Sequence, residues 1–328
     1  MAAIVISTFG MGYAIQPFFK FSKPIIVANA AQLKRALATA KPGDSIILKD
    51  GVYEGKFVIE TAASGTKKEP IVLVGSRSAI LDAGSTETGY VLSLKANYWK
   101  LRGFTVQNGL KGIVADGANY NVIDGVLVTQ LGEEGIHFRT FSKHNIVKNS
   151  EVTRTGKKRP GYGEAIYIGS AYSNWAKYTN GEPDRCDSNQ VLNNKLGPHV
   201  TAECIDVKEG TTGGIIRGNA FEAEGISGEN SADSWMDIKG NHYLIENNTG
   251  NNTQPSVLKD GYQVNCAYEG WGAYNKFKKN ISNVNADGYG INIRLKSSKG
   301  EAVGNEVYAD NKVVNAAKGI TNIEIKNK

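Results

Sequence analysis

The sequence predicts an all-β solenoid, a parallel β-helix, and three observations carry the prediction. Short strand-like runs recur at spacings of roughly 23 to 31 residues, the range of solenoid repeats. Nearly every repeat carries a second apolar run edged by asparagine. Gly (38) is abundant and Pro (8) scarce, which suits many short strands joined by tight turns. A β-sandwich of hairpins is the weaker alternative, because it wants shorter and more regular turn spacing.

Residues 24–328 read as one β-helix domain. Residues 1–23, apolar and without a basic residue before Lys20, read as a signal remnant or a first strand. The segment Asn29–Leu37 reads as a short helix with Asn29 as N-cap and Leu33, Ala36 and Leu37 on its apolar face; Lys41-Pro42-Gly43-Asp44 stops it. Such a helix caps the open end of a solenoid and covers its edge. No other helix is expected. Strand-like runs follow at Ser45–Leu48, Ile71–Val74, Val91–Leu94, Trp99–Leu101 and Gly112–Ala115.

From there the units open on G-I-V-A (Gly112), G-I-H-F-R (Gly135), A-I-Y-I-G (Ala165), C-I-D-V-K (Cys204), W-M-D-I-K (Trp235), Y-Q-V-N-C (Tyr262) and I-N-I-R-L-K (Ile291). The Asn-edged runs begin at Asn145, Asn189, Ile215, Leu244, Asn275 and Asn305. Asparagine tolerates left-handed turns and bonds neighbouring backbone, so a structural role at the coil corners is expected. Two excursions break the rhythm, between Ile168 and Cys204 and over Glu222–Asp233, and long insertions in a repeat tend to lie on the binding face.

The repeated Asp-x-Lys is the sharpest chemical signal. Side chains alternate along a strand, so Cys204, Asp206 and Lys208 point one way, as do Trp235, Asp237 and Lys239. If the strands are parallel neighbours, Asp lies on Asp and Lys on Lys about 4.8 Å apart, which is unfavourable without an offset. Aligning the units gives one outward column of His137, Tyr167, Asp206, Asp237, Gln263 and Asn292, and a second of Arg139, Gly169, Lys208, Lys239, Asn265 and Arg294. Glu134, Glu164 and Glu203 stand at the corner before them.

Glu164, Glu203, Asp206 and Asp237 are hard oxygen ligands suited to Ca²⁺, which binds and neutralises a sugar carboxylate and acidifies the proton beside it. Lys208 or Lys239, its pKa lowered by a nearby cation, would serve as general base. Arg139 would stabilise developing charge, and His137 or Tyr167 would protonate the leaving oxygen. Trp235, Tyr172, Trp175, Asn265 and Arg294 are candidates for substrate contact. The chemistry is β-elimination from a uronic acid. Alternatives are a hydrolase using Asp206 and Asp237, disfavoured because the lysines keep both ionised, and a protein that binds glycan without cleaving it.

The net charge of +6 and pI near 8.9 fit an acidic polysaccharide partner. The basic residues form no long runs, so no nucleic-acid partner is expected, and no apolar stretch reaches the length of a membrane span. A secreted monomer is expected. Cys186, Cys204 and Cys266 allow at most one disulfide, with Cys186–Cys204 and Cys204–Cys266 both open.

The opening A-N-A-A-Q-L-K-R-A-L-A-T-A-K-P-G-D-S-I-I-L-K-D-G-V-Y, followed by G-T-K-K-E-P-I-V-L (Gly65–Leu73) and Y-W-K-L-R-G-F-T-V-Q-N-G (Tyr98–Gly109), resembles the N-terminal coils of chondroitinase B-like and alginate lyases. The resemblance covers roughly residues 24–250. It implies a right-handed, pectin lyase-like β-helix that cleaves uronate polysaccharides, commonly with Ca²⁺ and a Lys/Arg pair. The family's metal-binding Glu with a catalytic Lys five residues on is similar to Glu203 and Lys208. A second family acid would fall on Thr201, and the family's Arg has no counterpart, Lys239 being nearest. Pectate lyases of the β-helix type with a Lys base are a second resemblance.

Overall fold

In the computed structural model, which describes residues 24–253 and 257–327, the chain winds into stacked coils whose strands form three long parallel sheets of 12, 9 and 10 strands. The expected signal remnant at 1–23 lies outside the described residues. Each coil is too small to bury an apolar face by itself. Stacking lines up the inward residues, and Leu73, Leu101, Ile123, Val147, Val191, Ile216, Ile245 and Phe277 form one continuous interior row.

The N-terminal helix spans Ala30–Thr39, with Leu33, Ala36 and Leu37 buried. The Gln32 amide donates to Asn29 Oδ1 at 3.0 Å, and Gln32 Oε1 accepts from the Ala28 amide at 2.8 Å, a reciprocal N-terminal cap. A second, one-turn helix, Trp175–Tyr178, sits in the long insertion and was not anticipated. Four residues are too few to show a periodic pattern.

Asparagines hold two corners. At the first, Asn121 Nδ2 donates to Asn145 Oδ1 and Asn145 Nδ2 to Asn189 Oδ1, each at 3.1 Å. At the second, Asn194, Asn219, Asn248, Asn280 and Asn311 form an unbroken buried run with steps of 2.9–3.0 Å. Each Oδ1 also takes a backbone N–H from the coil before, so the ladder satisfies buried corner amides that no sheet reaches.

All three cysteines are free and buried. Cys204 does not point outward, and neither expected pairing forms. The outward alternation holds only within the strands Ile205–Val207 and Met236–Ile238. Cys204 and Trp235 precede those strands, in the corner, where the turn rotates both side chains into the core. Trp235 is fully buried, its ring against Tyr262 and over Gly250 and Gly261, where any Cβ would collide with it. It therefore touches no substrate.

Candidate functional site

The nine-stranded sheet carries the predicted columns. His137, Tyr167, Asp206, Asp237, Gln263 and Asn292 are successive partners across its strands. The backbone bonds of Gly169, Lys208, Lys239, Asn265 and Arg294 to the preceding coil put the second column in step beside it. The alignment continues one coil earlier, where Asp116 is the register partner of Arg139.

Two walls flank this floor. On the side where the strands begin, the turn Pro160–Tyr162 meets the turn Glu229–Ser231, and Asn230 Nδ2 donates to the Gly161 carbonyl at 3.0 Å. On the side where they end, the long insertion folds over the turn at Glu209 and Gly210. Asp184, fully buried, anchors it by accepting the Thr140 and Phe141 amides at 3.1 and 2.8 Å and the Ser170 hydroxyl at 2.5 Å. Trp175 serves this packing: it is buried, and its indole N–H donates to the Ser170 carbonyl at 3.0 Å. It supports the wall and does not line the floor.

The like-charge stack is offset within the chain. Lys208 Nζ lies 2.6 Å from Asp206 Oδ2, while Lys239 Nζ lies 2.9 Å from Asp206 Oδ1 and 2.6 Å from Asp237 Oδ2. Lysine from one rung crosses to aspartate on the next, so the two doublets interlock. Asp237 also accepts from Asn265 Nδ2. Asn265 thus braces the floor, and Asp237 does not join the other acids as a ligand. Glu164, Glu203 and Asp206 do converge, each with an oxygen within 4.8 Å of the others.

The electrostatics correct one expectation. Burial is the largest single effect on the Lys208 and Lys239 ammonium groups and works against them, but Asp206 and the neighbouring carboxylates together outweigh it, and both pKa values are raised rather than lowered. For Asp206, burial pushes the pKa up, the two lysines pull harder, and the net shift is down. Glu203 is pushed up to about 8 by burial and by the neighbouring Asp206 carboxylate. Glu164 rises well above the carboxylate range through burial and the charges of Glu134, Glu203 and Asp206. Two proton-holding glutamates thus adjoin an ionised, doubly paired aspartate. Asp206, held ionised, makes a poor general acid for hydrolysis.

His137 and Tyr167 touch edge to face, with centroids 4.5 Å apart. His137 Nε2 lies 3.0 Å from the Gly169 carbonyl, which accepts only if that nitrogen carries the proton. Burial and the charges of Lys111, Arg139 and Lys208 push the imidazole pKa well down, so the ring is neutral and its one N–H is committed. Tyr167 is half-buried, and its hydroxyl has no hydrogen bond among the described residues. Burial, with Asp206 and Glu164, raises the phenol pKa well above its ordinary value, so the proton stays on. Lys208 Nζ lies 4.9 Å from the Tyr167 ring centre.

Arg139 is more confined than expected. Its guanidinium bonds Asp116 at 2.5 and 3.0 Å, Tyr90 Oη at 3.0 Å and Tyr178 Oη at 3.2 Å, and lies 4.5 Å from the Tyr178 ring centre. It ties the insertion to the floor and has little charge left for a reacting group. Asp116, Tyr90 and Tyr178 were not anticipated. Extending the Arg139 column back one repeat would have found Asp116; the two tyrosines reach it only through folding. The Lys111 pair with Glu134 (2.5 Å) and Glu133 (3.4 Å) was also missed. Tyr172 is exposed on the second wall, and Arg294 is exposed at the last rung.

Comparison with known proteins identifies the architecture. Residues 21–166 match the family described as a Pel9A-like, right-handed β-helix region. The crystal structure of an alginate lyase from Paenibacillus sp. str. FPU-7 superposes with a TM-score of 0.84 at 36% identity, over 91% of this chain and 97% of that one. The chain belongs to the right-handed β-helix polysaccharide lyases. Pectate lyase L of Thermoclostridium stercorarium is 31% identical over 129 residues, which are 37% of this chain. The chain spans 10% of that curated relative's length. The crystal structure of pectate lyase Pel9A, at 16% identity and a TM-score of 0.54, shares the fold.

Proposed function

We propose that this protein cleaves an acidic, uronate-containing polysaccharide by β-elimination, with Lys208 as base and Tyr167 as acid. The observation that carries the reading is the contact between the Lys208 ammonium and the Tyr167 phenol on a floor walled by long loops. The kinship with an alginate lyase makes alginate the first substrate to try, and polygalacturonate the second.

Neutral Lys208 takes the proton from the carbon beside the uronate carboxyl. The electron pair released forms the C4–C5 double bond as the C4–O4 bond breaks, and Tyr167 gives its proton to the departing O4. The Lys208 ammonium then returns a proton to the Tyr167 phenolate, and both groups are restored. Tyr167 is favoured over His137 as acid because the imidazole N–H is already given to Gly169. Lys208 is favoured over Lys239 because Lys239 is shared by two carboxylates.

The donor set fits Ca²⁺. Three carboxylates converge, and buried Glu164 Oε2 has no partner. Glu164, Glu203 and Asp206 would hold the ion, which when bound supplies positive charge to neutralise the sugar carboxylate. Export and a monomeric state belong to the same proposal, tested by the N-terminus of protein recovered from culture medium and by light scattering.

The deciding experiment incubates the protein with alginate, polygalacturonate, glucuronan and glycosaminoglycans and follows absorbance at the unsaturated-uronate band. Product from one of them, lost in Lys208→Ala, is expected. No absorbance on any of them, or full activity in Lys208→Ala, rejects the proposal. New reducing ends without absorbance would indicate hydrolysis.

A further inference from the structure

We infer a second glycan-binding subsite on the wall beside the floor, formed by Tyr172, Tyr268 and Lys299 and built to take a uronate residue several sugars from the cleaved bond. The inference rests on the polyuronate lyase reading above. Its starting point is a charge balance. Apart from Arg294, exposed at the last rung, the cations of the floor are spent inside the chain: Lys111 on Glu133 and Glu134, Arg139 on Asp116, and Lys208 and Lys239 on Asp206 and Asp237. A floor so neutralised has little net pull on a polyanion. Attraction must come from cations that carry no internal partner.

Lys299 is such a cation. It is exposed at the tip of the hairpin joining Lys296–Ser297 to Gly300–Glu301, and it has no carboxylate partner among the described residues. Its Nζ lies 5.5 Å from the centre of the Tyr172 ring. Tyr172 in turn meets Tyr268, centroids 5.5 Å apart, and Tyr268 meets Trp175 at 5.2 Å. Tyr172 and Tyr268 are 39% and 43% exposed, so part of each ring faces solvent. Neither phenol hydroxyl has a hydrogen bond among the described residues.

The three side chains come from separate coils and are held in place. Glu209, buried beneath, accepts the Tyr172 amide at 2.6 Å. Ser297 Oγ donates to the Cys266 carbonyl at 2.7 Å, and Cys266 Sγ donates to the Tyr268 carbonyl at 3.3 Å, so the hairpin and the Tyr268 loop are fastened to each other. Gly300 permits this approach: at φ +141° a Cβ there would come 3.0 Å from Cys266 Sγ. Exposed aromatic carbon suits the apolar face of a sugar ring, the hydroxyls suit its polar rim, and the ammonium suits a carboxylate. Neutral sugars meet only part of this set, so the subsite selects for uronate.

The test uses Lys299→Gln, which removes the charge at an exposed hairpin tip, and Tyr268→Ala with Tyr268→Phe as its conservative partner. Binding of polymannuronate, polyguluronate and polygalacturonate is measured by titration calorimetry in the inactive Lys208→Ala background. Expected results are a three- to tenfold weaker affinity for Lys299→Gln, a flatter dependence on salt, and a loss in Tyr268→Ala that Tyr268→Phe largely restores. In the active protein KM for long chains rises while kcat holds. Unchanged affinity and KM in Lys299→Gln and Tyr268→Ala, or equal loss of binding to a neutral glucan, overturns the subsite. Binding does not depend on turnover, so absence of lyase activity with these affinity changes intact would reject the reaction and leave the subsite standing.

Discussion

Lys208 and Tyr167 face each other across adjacent coils, the ammonium 4.9 Å from the ring centre and anchored by Asp206 two residues before it. In the proposed reaction this pair supplies the base and the acid. Lys208→Ala and Tyr167→Phe are each expected to lower kcat by about 10²–10⁴-fold, the usual worth of a positioned acid or base. Lys208→Arg should not rescue, because a guanidinium does not give up its proton. Initial rates by ultraviolet absorbance, with circular dichroism as the folding control, check this.

The rate should climb with pH. As the proposed base Lys208 must be neutral, and its pKa lies above the ordinary lysine value because the charge and hydrogen bond of Asp206 and the nearby carboxylates together outweigh burial. Below that pKa the neutral fraction grows about tenfold per pH unit. A plot of log kcat/KM is therefore expected to rise from pH 6 to 9, and an optimum below pH 7 would contradict a lysine base.

Glu203 makes a prediction about stability. Its folded pKa, about 8, lies above the ordinary glutamate value of 4.5, so the folded state keeps a proton that the unfolded chain releases. The folded state is thus favoured below pH 4.5, and that advantage is lost as pH rises to 8. In chelator, Glu203→Gln should melt higher than the parent at pH 9, with the gap narrowing toward pH 5. Melting curves that stay parallel across this range would contradict the assignment.

Calcium should act through the same acids. Millimolar Ca²⁺ is expected to raise the melting temperature of the parent protein, and Glu164→Gln to blunt the rise. Equal shifts with Mg²⁺, or a shift untouched by Glu164→Gln, would place the ion elsewhere.

The asparagine ladder should matter for stability and not for chemistry. Asn248→Ala removes the acceptor for the Asn219 amide and side chain and the donor to the Ile216 carbonyl. Each buried group left unsatisfied costs about 1–3 kcal/mol. Urea unfolding should show a loss of at least that size, with kcat little changed.

The sequence disclosed columns better than corners. Parallel pairing preserves register, so the repeat spacing alone aligns His137, Tyr167, Asp206 and Asp237. The corner residues obey no period of two, which is why Cys204 and Trp235 were assigned to the wrong side. Nor does linear spacing reveal cross-rung pairing. Spacing predicts a Lys208 crowded by cations, yet Lys239 reaches across to Asp206, and the carboxylates between the two leave both lysines more basic. Tyr90 opens a strand of the floor itself, but its side chain meets Arg139 two coils on, a contact that linear spacing does not show. Tyr178, Tyr268 and Lys299 lie on loops between the repeated strands, and only folding brings them beside the floor.

The stacked columns also make the floor a ruler. Backbone pairing fixes its divisions at about 4.8 Å, and no side-chain substitution can stretch them. A sugar polymer has its own repeat along its axis, set by ring size and linkage. In the proposed reading the two scales slide past each other like the halves of a vernier, so one sugar presents its C5 proton to Lys208 while another sets its carboxylate on Lys299 only where the markings coincide. Chain length would then be sensed in discrete steps, and epimers that change the polymer's rise would be told apart by where their charges fall as well as by their shape.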